Sequence, residues 1–423
     1  MRILLSAYAC RPNAGSEPGC GWNWATHLAA REIDVYVLVA SRNRETIEAG
    51  LQGREIKNLH FTYVSVPYQW AKKHEGLHYL LWQVEALKAA RELARKCEFD
   101  LAHHVTYASV HAPTQLWRLG IPVVFGPVGG GQTAPTVMLP YFGSGRHRER
   151  LRSVMTRGLS VSLFHRRSLR RMSYVLAANR DTLGVIQALG CENAELMCDT
   201  AVSAEYLADR PRSFEDRKGE LRLLWVGRML TRKALALALD SVKEVNNDKN
   251  QGKVTLTIAG DGMDPARVRR LIRERDLQQE VFWKGCRLEY AELRSAYANH
   301  DAMLFTSLRD SFGSQLLEAM AMGLPIITLD LHGARDFVPD AACLKVPVGR
   351  PEETLRNLAS AIERYRAFGP QQRDQMSRNG WKFAKESSWT ARVDVIGRIY
   401  EQVLSKANRP KTALAPRVPV EAI

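Results

Sequence analysis

The sequence predicts an α/β protein made of two doubly wound domains. Short, continuously apolar segments alternate with segments of helical spacing, which is the pattern of parallel strands covered by helices on both faces. This order begins twice, with an apolar strand running into a loop at residues 2–8 and again at 221–226. A length of 423 residues also exceeds one ordinary hydrophobic core and suits two domains of similar size.

The strands of the two predicted domains follow from these apolar segments. Strands are expected at 2–8, 35–39, 61–66, 101–104, 123–125 and 174–177, and then at 221–226, 254–258, 281–283, 302–305 and 326–328. They place an N-terminal Rossmann-like domain at 1–206 and a second domain at 221–388. The polar segment 207–220 is the expected linker. A helix with one apolar side is expected at 389–406, and the proline-containing tail at 407–423 is expected to be disordered.

Composition excludes several classes of protein. The chain is 45% hydrophobic and 25% charged, as is usual for a soluble globular enzyme, and the apolar runs are too short to span a bilayer. The first ten residues predict a buried strand rather than a signal peptide, because the apolar run is short. The 7 cysteines are scattered and form no Cys-x-x-Cys pair, so we expect reduced thiols in a cytoplasm and neither disulfides nor a zinc site.

The formal net charge of +15 favours an anionic partner. Between Arg146 and Arg171 there are nine arginines and one acid, Glu149, interleaved with apolar residues. This mixture predicts one or two basic amphipathic helices on a surface, suited to an anionic membrane. A solvated helix face explains the pattern equally well.

The loop after the strand at 302–305 gives the clearest indication of a ligand-binding site. Gly313 and Ser314 are expected to begin a helix, whose free backbone N–H groups favour phosphate. Asp310 precedes that helix and Glu318 lies within it, so the two carboxylates flank a phosphate-binding helix end. They can accept hydrogen bonds from a sugar on one side and a ribose on the other. In isolation, a capped helix with a stray acid would explain the same residues.

The loops after two further strands in the second half support the interpretation as a phosphate-binding site. Gly227 and Arg228 follow one strand, and Lys233 lies five residues beyond Arg228. Arg228 and Lys233 could neutralise a diphosphate leaving group. After the strand at 254–258 comes the tight turn Gly260-Asp261-Gly262, whose glycines allow a ligand to approach closely.

These motifs, in this order up to Glu318-Ala319-Met320-Ala321-x-Gly323-x-Pro325, resemble the GT-B retaining glycosyltransferases of family 4. The resemblance implies two domains facing a central cleft, with the final helix crossing back to the first domain. It implies that Arg228 and Lys233 hold the donor diphosphate, that Asp310 binds the donor sugar, and that Glu318 binds the ribose. The backbone of Ser311, Phe312, Gly313 and Ser314 would contact sugar or phosphate. Asp310 replaces the family's usual glutamate, and Ala234 stands where glycine is usual.

The first half resembles the same family less closely. The family's glycine-rich loop after the first strand corresponds to residues 15–24, expected to precede a helix and similar to enzymes of bacterial exopolysaccharide and O-antigen synthesis. It places Gly15 and Ser16 at the donor, and Glu17 and Gly19 on the acceptor side. Further acceptor-side candidates follow other strands: His104, His111, Gly129 and Gly130. A packing role for these histidines and for Gly19 stays open.

The resulting hypothesis is a retaining, metal-independent transfer of a sugar from a nucleoside-diphosphate donor to a glycan or lipid-linked acceptor. The absence of an Asp-x-Asp motif argues against a metal, and no other cofactor is expected. We expect a cytoplasmic protein, peripheral on the inner face of the cell membrane. Alternatives are a sugar-nucleotide epimerase of the same fold, a dinucleotide oxidoreductase, disfavoured by the lack of Gly-x-Gly-x-x-Gly, and a nucleic-acid-binding protein. Nucleic acid is not expected, because aromatic residues do not interleave with the basic ones.

Overall fold

The computed structural model describes residues 1–53, 56–68, 70, 73–215, 220–247, 252–286 and 288–407. The chain forms two compact units. The first unit comprises 1–131, 156–201 and the chain from Trp389, and the second comprises 132–155 and 202–388. The tail predicted to be disordered lies outside the described residues, except for Ala407.

The first unit contains a parallel sheet. Its strands are β1 (Arg2–Ser6), β2 (Asp34–Ala40), β3 (Leu59–Val64), β4 (Leu101–His104), β5 (Val123–Val128), β6 (Tyr174–Ala177) and β7 (Ala194–Leu196). They lie in the order β3-β2-β1-β4-β5-β6-β7. The winding direction therefore reverses between β1 and β4, which are direct neighbours. In such sheets ligands bind at the carboxyl ends of the strands beside this reversal.

Both faces of this sheet are buried, which explains the continuously apolar strands. Ile3 and Leu5 of β1 pack into one hydrophobic cluster, and Leu4 packs into another on the opposite face. Side chains alternate across a strand, so a strand covered on both sides must be apolar at every position.

The second unit contains another parallel sheet. Its strands are β8 (Leu221–Val226), β9 (Val254–Ala259), β10 (Val281–Trp283), β11 (Ala302–Phe305), β12 (Ile326–Leu329) and β13 (Cys343–Val346). Their order is β10-β9-β8-β11-β12-β13, so the reversal lies between β8 and β11. The prediction of two doubly wound α/β domains is confirmed.

Helices connect the strands. In the described residues they are α1 (Ser16–Ala29), α2 (Arg44–Leu51), α3 (Glu75–Ala94), α4 (Arg146–Gly158), α5 (Leu163–Leu169), α6 (Arg180–Ala188), α7 (Leu235–Asn246), α8 (Pro265–Arg273), α9 (Tyr290–Asn299), α10 (Ser314–Ala321), α11 (His332–Phe337), α12 (Pro351–Arg366), α13 (Pro370–Glu386) and α14 (Trp389–Lys406). Helix α14 belongs to the first unit, where Ile396 and Tyr400 are buried in the cluster around β1. The apolar side predicted for this helix is the side that packs against the hydrophobic cluster of the first unit.

The structure differs from the predicted boundaries in one long segment. Residues 132–155 were expected in the first domain but belong to the second unit. The physical reason is burial, because Met138, Leu139 and Phe142 lie in the same hydrophobic cluster as the strands of the second sheet. The expectation that the whole basic stretch 146–171 sits on the first domain is therefore wrong for its first ten residues.

The segment predicted as a linker is also packed where the structure describes it. Trp381 Nε1 donates to the carbonyl oxygen of Ala208 at 2.8 Å, and the backbone N–H of Phe214 donates to Asp374 at 2.6 Å. Phe214 itself is buried. Residues 202–215 thus belong to the second unit, and the boundary precedes the predicted one; residues 216–219 lie outside the described part.

Candidate functional site

The loops after β8 and β11 meet at the reversal point of the second sheet. These are the loops that carry Lys233 and Asp310, 77 residues apart in the chain. Lys233 and Asp310 form an ion pair there, and Arg232 Nη1 lies 3.0 Å from the other carboxylate oxygen of Asp310. The structure therefore brings together two of the three predicted catalytic residues and adds Arg232.

The surroundings keep the Asp310 carboxylate ionised. Burial alone would raise its pKa, but the positive charges and hydrogen bonds of Lys233 and Arg232 outweigh this and lower the pKa to about 2. Asp310 is consequently a hydrogen-bond acceptor at every physiological pH. It is suited to binding hydroxyl groups and not to donating a proton.

Lys233 is held in place from several directions. Its side chain is buried, and its ammonium lies 5.1 Å from the centroid of the Phe305 ring. The hydroxyl of Thr306 lies 3.1 Å from the Lys233 carbonyl oxygen and accepts a hydrogen bond from Trp225 Nε1 at 3.2 Å. The ammonium therefore has a fixed position, as electrostatic stabilisation of a leaving group requires.

Ala234 adopts a left-handed conformation, with φ 48° and ψ 51°. This is the conformation that glycine adopts without steric cost and that a Cβ disfavours. The replacement of the family's usual glycine is thus a strained position directly beside Lys233.

The glycines after β8 and β9 are required by close backbone packing. A Cβ on Gly260 would lie 1.9 Å from the carbonyl oxygen of Gly227, and Gly227 and Gly262 have φ values of 149° and 105°. Met229 N–H also donates to the Asp261 carbonyl at 2.6 Å. The two loops form one backbone unit, which leaves the side chains of Arg228 and Asp261 exposed.

Helix α10 begins where the sequence predicts. Gly313 is its N-cap, with φ 109°, and Ser314 is its first residue. Ser311 Oγ accepts a hydrogen bond from Gln132 Nε2 at 3.1 Å, and the ring of Phe312 is fully buried against Phe337. The helix start is therefore rigid, with its backbone amides at the carboxyl edge of β11.

Glu318 is not a stray acid on an exposed helix face. Its Oε2 accepts a hydrogen bond from the hydroxyl of Tyr297 at 2.9 Å. Tyr297 is buried, and burial followed by the nearby Glu318 charge raises its pKa well above the usual value, so it remains a donor. This contact fixes the orientation of the Glu318 carboxylate.

In the first unit, helix α1 begins earlier than expected. Residues 15–24 were predicted as a loop, but Gly15 is the N-cap of α1 and Ser16 is its first residue, with φ 56°. Gly19 lies inside the helix, where an added Cβ would be 1.9 Å from the Ala14 carbonyl oxygen. Its role is packing, because only glycine permits this approach.

Glu17 lies at the reversal point of the first sheet. Its side chain accepts a hydrogen bond from the backbone N–H of Tyr107 at 2.9 Å, which joins the chain after β1 to the chain after β4. Tyr107 has a φ of 55°, a conformation uncommon for a tyrosine. Glu17 is exposed, as is Ser16 beside it. Of the predicted acceptor-side residues, it alone combines exposure with a position at this point.

The prediction that His104 reaches a substrate is not supported by its position. Its ring is fully buried, with one nitrogen 2.9 Å from the Tyr79 hydroxyl and the other 2.9 Å from Ser6 Oγ. Burial, and next the neighbouring His103, lower its pKa to about 3. His104 is a neutral core residue whose two ring nitrogens are already satisfied.

His111 and the glycine triplet pack against each other. His111 Nε2 lies 3.1 Å from the Gly130 carbonyl oxygen, and the Val110 N–H donates to the Gly129 carbonyl at 3.0 Å. A Cβ on Gly130 would lie 2.7 Å from Ser109 Oγ. The glycines therefore allow two backbone segments to approach each other, and the assignment of Gly129 and Gly130 to the acceptor side stays a prediction.

Two features are absent from the described residues. No group of three or more His, Cys, Asp or Glu side chains there could hold a metal ion. None of the helices described is both long and apolar enough to cross a membrane.

Comparison with known proteins identifies the second unit. Residues 209–383 match the family model described as glycosyl transferases group 1. This part of the chain matches that family and is called the group 1 domain below. The matched range contains all of the second sheet, and with it Arg228, Lys233, Asp310 and Glu318.

Curated relatives of the group 1 domain are glycosyltransferases by name. The GtfA subunit of the UDP-N-acetylglucosamine–peptide N-acetylglucosaminyltransferase of Streptococcus gordonii is 32% identical over 147 residues, 34% of this chain and 28% of that protein. The 2-deoxystreptamine N-acetyl-D-glucosaminyltransferase of Streptomyces fradiae is 25% identical over 305 residues, 67% of this chain and 68% of that protein. The chain thus spans about a quarter of the length of the first of these relatives.

The likeness to solved structures extends beyond the group 1 domain. The apo form of the lipopolysaccharide outer core galactosyltransferase WaaB has a TM-score of 0.64 at 16% identity, covering 95% of this chain and 100% of that one. The fold is therefore that of the GT-B glycosyltransferases, as the sequence motifs implied.

Several residues of the site were missed by sequence reasoning. Arg232, Tyr297 and Arg309 lie outside the family motifs, although Arg232 and Arg309 are adjacent to the predicted residues Lys233 and Asp310. Tyr297 offered no signal, because its role depends on the packing of α9 against α10. In the sequence, Glu149 stood out only as the single acid of a basic stretch. Its place in the site depends on the packing of residues 132–155 in the second unit, which the sequence did not predict.

Proposed function

We propose that the chain is a retaining, metal-independent glycosyltransferase that moves a sugar from a nucleoside-diphosphate sugar to an acceptor hydroxyl. The observation that carries this proposal is the position of Lys233, Asp310 and Glu318 at the reversal point of a group 1 domain. The names of the relatives support a sugar-nucleotide donor, since that of the Streptococcus gordonii protein includes UDP-N-acetylglucosamine.

The donor diphosphate would be neutralised without a metal. The guanidinium of Arg228 is exposed, the ammonium of Lys233 is fixed, and the N-terminal amides of α10 follow the same loop as Asp310. Cations and a helix N-terminus both favour phosphate, and Arg228 can bind it through two parallel hydrogen bonds. Gly227, Gly260 and Gly262 let the diphosphate approach the backbone, with Asp261 at the edge of this surface.

The two carboxylates would recognise the groups on either side of the diphosphate. Asp310 would accept hydrogen bonds from hydroxyls of the donor sugar, and Glu318 from the ribose. The amides of Ser311, Phe312, Gly313 and Ser314 would contact the sugar or the phosphate. The shorter aspartate side chain places the carboxylate farther from the sugar than a glutamate would, which makes position 310 a determinant of donor choice.

In the proposed reaction the nucleoside diphosphate is the leaving group. The bond between the anomeric carbon and the diphosphate oxygen breaks, and a bond forms from the acceptor oxygen on the same face of the sugar. The acceptor's hydroxyl proton passes to the departing diphosphate. Arg228 and Lys233 stabilise the charge that develops on that diphosphate, which is where electrostatic catalysis acts.

The acceptor side is assigned to the carboxyl edge of the first sheet. Glu17 is exposed there, beside Gly15 and Ser16, which we assign to the donor. Its carboxylate can accept a hydrogen bond from an acceptor hydroxyl. The acceptor would be a lipid-linked oligosaccharide or a polysaccharide precursor, in a bacterial cytoplasm.

The basic stretch 146–171 would bind the anionic inner face of the cell membrane. Several of its large apolar side chains are more than half exposed: Leu151, Val154, Met155, Val161, Leu163 and Phe164. Exposed apolar residues interleaved with arginines suit the boundary between lipid headgroups and acyl chains. Nucleic acid is not proposed as a partner.

The donor proposal is tested by kinetics on two variants. Lys233→Ala and Glu318→Ala should each lower transfer more than tenfold while circular dichroism shows a folded protein. Full activity in both variants would refute the site.

A panel of nucleotide sugars, screened by thermal shift, identifies the donor, because a bound donor raises the melting temperature. Incubation of that donor alone must yield no epimer; an epimerised product would establish the epimerase alternative.

Retention of configuration, metal independence and membrane binding are tested by separate measurements. Nuclear magnetic resonance of the product should show the anomeric configuration of the donor, and chelation of divalent ions by EDTA should leave the rate unchanged. Vesicles of anionic lipid should bind the protein and release it at high salt, whereas neutral vesicles should not. Inversion, loss of activity in EDTA, or salt-insensitive binding would each overturn the corresponding part.

A further inference from the structure

Residues 132–155 contact both loops that carry the proposed donor site. Gln132 donates to Ser311 in the loop after β11, and Gly145 lies against Thr231 in the loop after β8, where an added Cβ would be 3.7 Å from Thr231 Oγ1. A third contact is the ion pair of Glu149 with Arg309. A segment from the first half of the sequence thus supports the loops of the group 1 domain.

The Glu149–Arg309 ion pair lies next to the Lys233–Asp310 pair. Glu149 Oε1 is 2.7 Å from Arg309 Nε, and the two side chains are only 7% and 19% exposed. The carbonyl oxygen of Arg309 accepts a hydrogen bond from Arg232 Nη1 at 3.0 Å, and the same Nη1 contacts Asp310. Glu149 is therefore connected through Arg309 and Arg232 to the carboxylate assigned to the donor sugar.

Glu149 and Asp310 lie among four cations, Arg152, Arg232, Lys233 and Arg309. Burial, followed by the charge of Arg309, lowers the pKa of Arg152 to about 10, so the charges of Arg152 and Arg309 act on each other. Loss of the Glu149 charge would make this cluster more positive by one unit.

We propose that Glu149 is a positioning residue of the donor site, which holds Arg309 beside Asp310 and limits the positive charge that faces the diphosphate. The inference rests on the proposed function, since it assumes that a nucleoside diphosphate binds here. Too much positive charge would bind the diphosphate product more tightly and slow its release.

The direct test is the binding of nucleoside diphosphate to Glu149→Gln. This change preserves the shape of the side chain and removes its charge. The diphosphate should bind about fivefold more tightly, by the size expected for one added charge near a partly buried site. The turnover number should fall while the KM for the donor falls or stays constant. A merely structural defect would instead weaken binding and raise KM, and weaker or unchanged binding would overturn the proposal.

Partner variants show whether the effect passes through Arg309. In the double variant Glu149→Gln/Arg309→Gln, diphosphate affinity should return to within about twofold of wild type, because the net charge is restored. Arg309→Gln alone should bind the diphosphate more weakly, which gives a reciprocal test if Glu149→Gln does not fold. A double variant that keeps the tighter diphosphate binding of Glu149→Gln would overturn the connection through Arg309.

Two controls complete the experiment. Glu149→Asp keeps the charge and should keep wild-type affinity. Glu274→Gln removes the same group from an exposed ion pair with Arg270 in α8 of the same unit, and should change neither affinity nor turnover. If the wild-type protein binds no nucleoside diphosphate from the panel, the proposed function itself fails, and that result is distinct from an unchanged affinity in Glu149→Gln.

Discussion

Lys233 and Asp310 form an ion pair where the loops after β8 and β11 meet. The sequence motifs assign these residues to different parts of a donor, the diphosphate and the sugar. Their pairing means that the ammonium and the carboxylate are already oriented by each other and by Arg232. Such a site needs little reorganisation when charge develops on a leaving group.

The contribution of the Lys233–Asp310 ion pair to the free energy of unfolding should depend on pH. The folded-state pKa of Asp310 is lowered from 3.8 to about 2, so its contribution is complete above about pH 4 and is lost as the pH falls toward 2. Asp310→Asn should lower the free energy of unfolding at pH 7 by about 2 kcal/mol or more, since the buried Lys233 also loses its partner. Urea denaturation at pH 7, 4 and 2.5 measures the difference, which should shrink with acid.

A matched control for this prediction is Glu274→Gln, in the exposed pair with Arg270. Exposed ion pairs contribute little, so its effect at pH 7 should be below about 1 kcal/mol. A difference between wild type and Asp310→Asn that stays constant from pH 7 to pH 2.5 would contradict the assigned role of the pair.

The Tyr297 hydroxyl should matter for donor binding through Glu318. Tyr297→Phe removes a buried hydrogen bond, which should cost about 1 kcal/mol of stability and leave the Glu318 carboxylate less oriented. The KM for the donor should rise several-fold, with a smaller change in kcat. Tyr365→Phe is the control, because that buried hydroxyl donates to the Asp301 carbonyl instead. Equal KM changes in both variants would show that Tyr297 acts only through stability.

The two sheets could be predicted because their central strands are buried on both faces. Leu101–His104 and Ala302–Phe305 are both short and buried at every position; Ala302–Phe305 is apolar throughout, whereas Leu101–His104 ends in two buried histidines. Strands β7 and β13 were missed. Ala194–Leu196 has no buried residue, and Cys343–Val346 is buried at three of four positions but is interrupted by Lys345. A short strand that is partly exposed or carries a charged residue lacks the continuous apolar pattern on which the prediction depends.

The site could be predicted only as far as it lies within local motifs. Gly313, Asp310 and Lys233 follow strands directly, so their arrival at one edge of the sheet follows from parallel topology. The contacts of Glu149 with Arg309 and of Tyr297 with Glu318 join residues 160 and 21 positions apart. They depend on tertiary packing that periodicity does not contain. The buried position of His104 was not predicted for the same reason, since core contacts and ligand contacts use the same residue types.

The buried histidines of β4 should make the first unit sensitive to acid. Burial lowers the pKa of His103 to about 4 and that of His104 to about 3, from 6.5. The unfolded chain therefore binds more protons below pH 6.5, and stability should fall as the pH drops from about 6.5 toward 4. His104→Gln should reduce this slope by up to about 1.4 kcal/mol per pH unit. Urea denaturation between pH 7.5 and 5 measures both slopes, and identical slopes would contradict the prediction.

Ala234→Gly should stabilise the protein, although glycine usually destabilises. Ala234 is in the left-handed region, where a Cβ costs about 1–2 kcal/mol and glycine has no such cost. The gain is reduced by the greater entropy of glycine in the unfolded chain, which leaves a net increase in stability of up to about 1 kcal/mol. Ala361→Gly, within α12, is the same chemical change at a helical position and should instead lower stability by about 1 kcal/mol. Thermal denaturation of both variants should show melting temperatures that move in opposite directions, and a loss of stability in Ala234→Gly would show that the Ala234 methyl group contributes more through packing than it costs in strain.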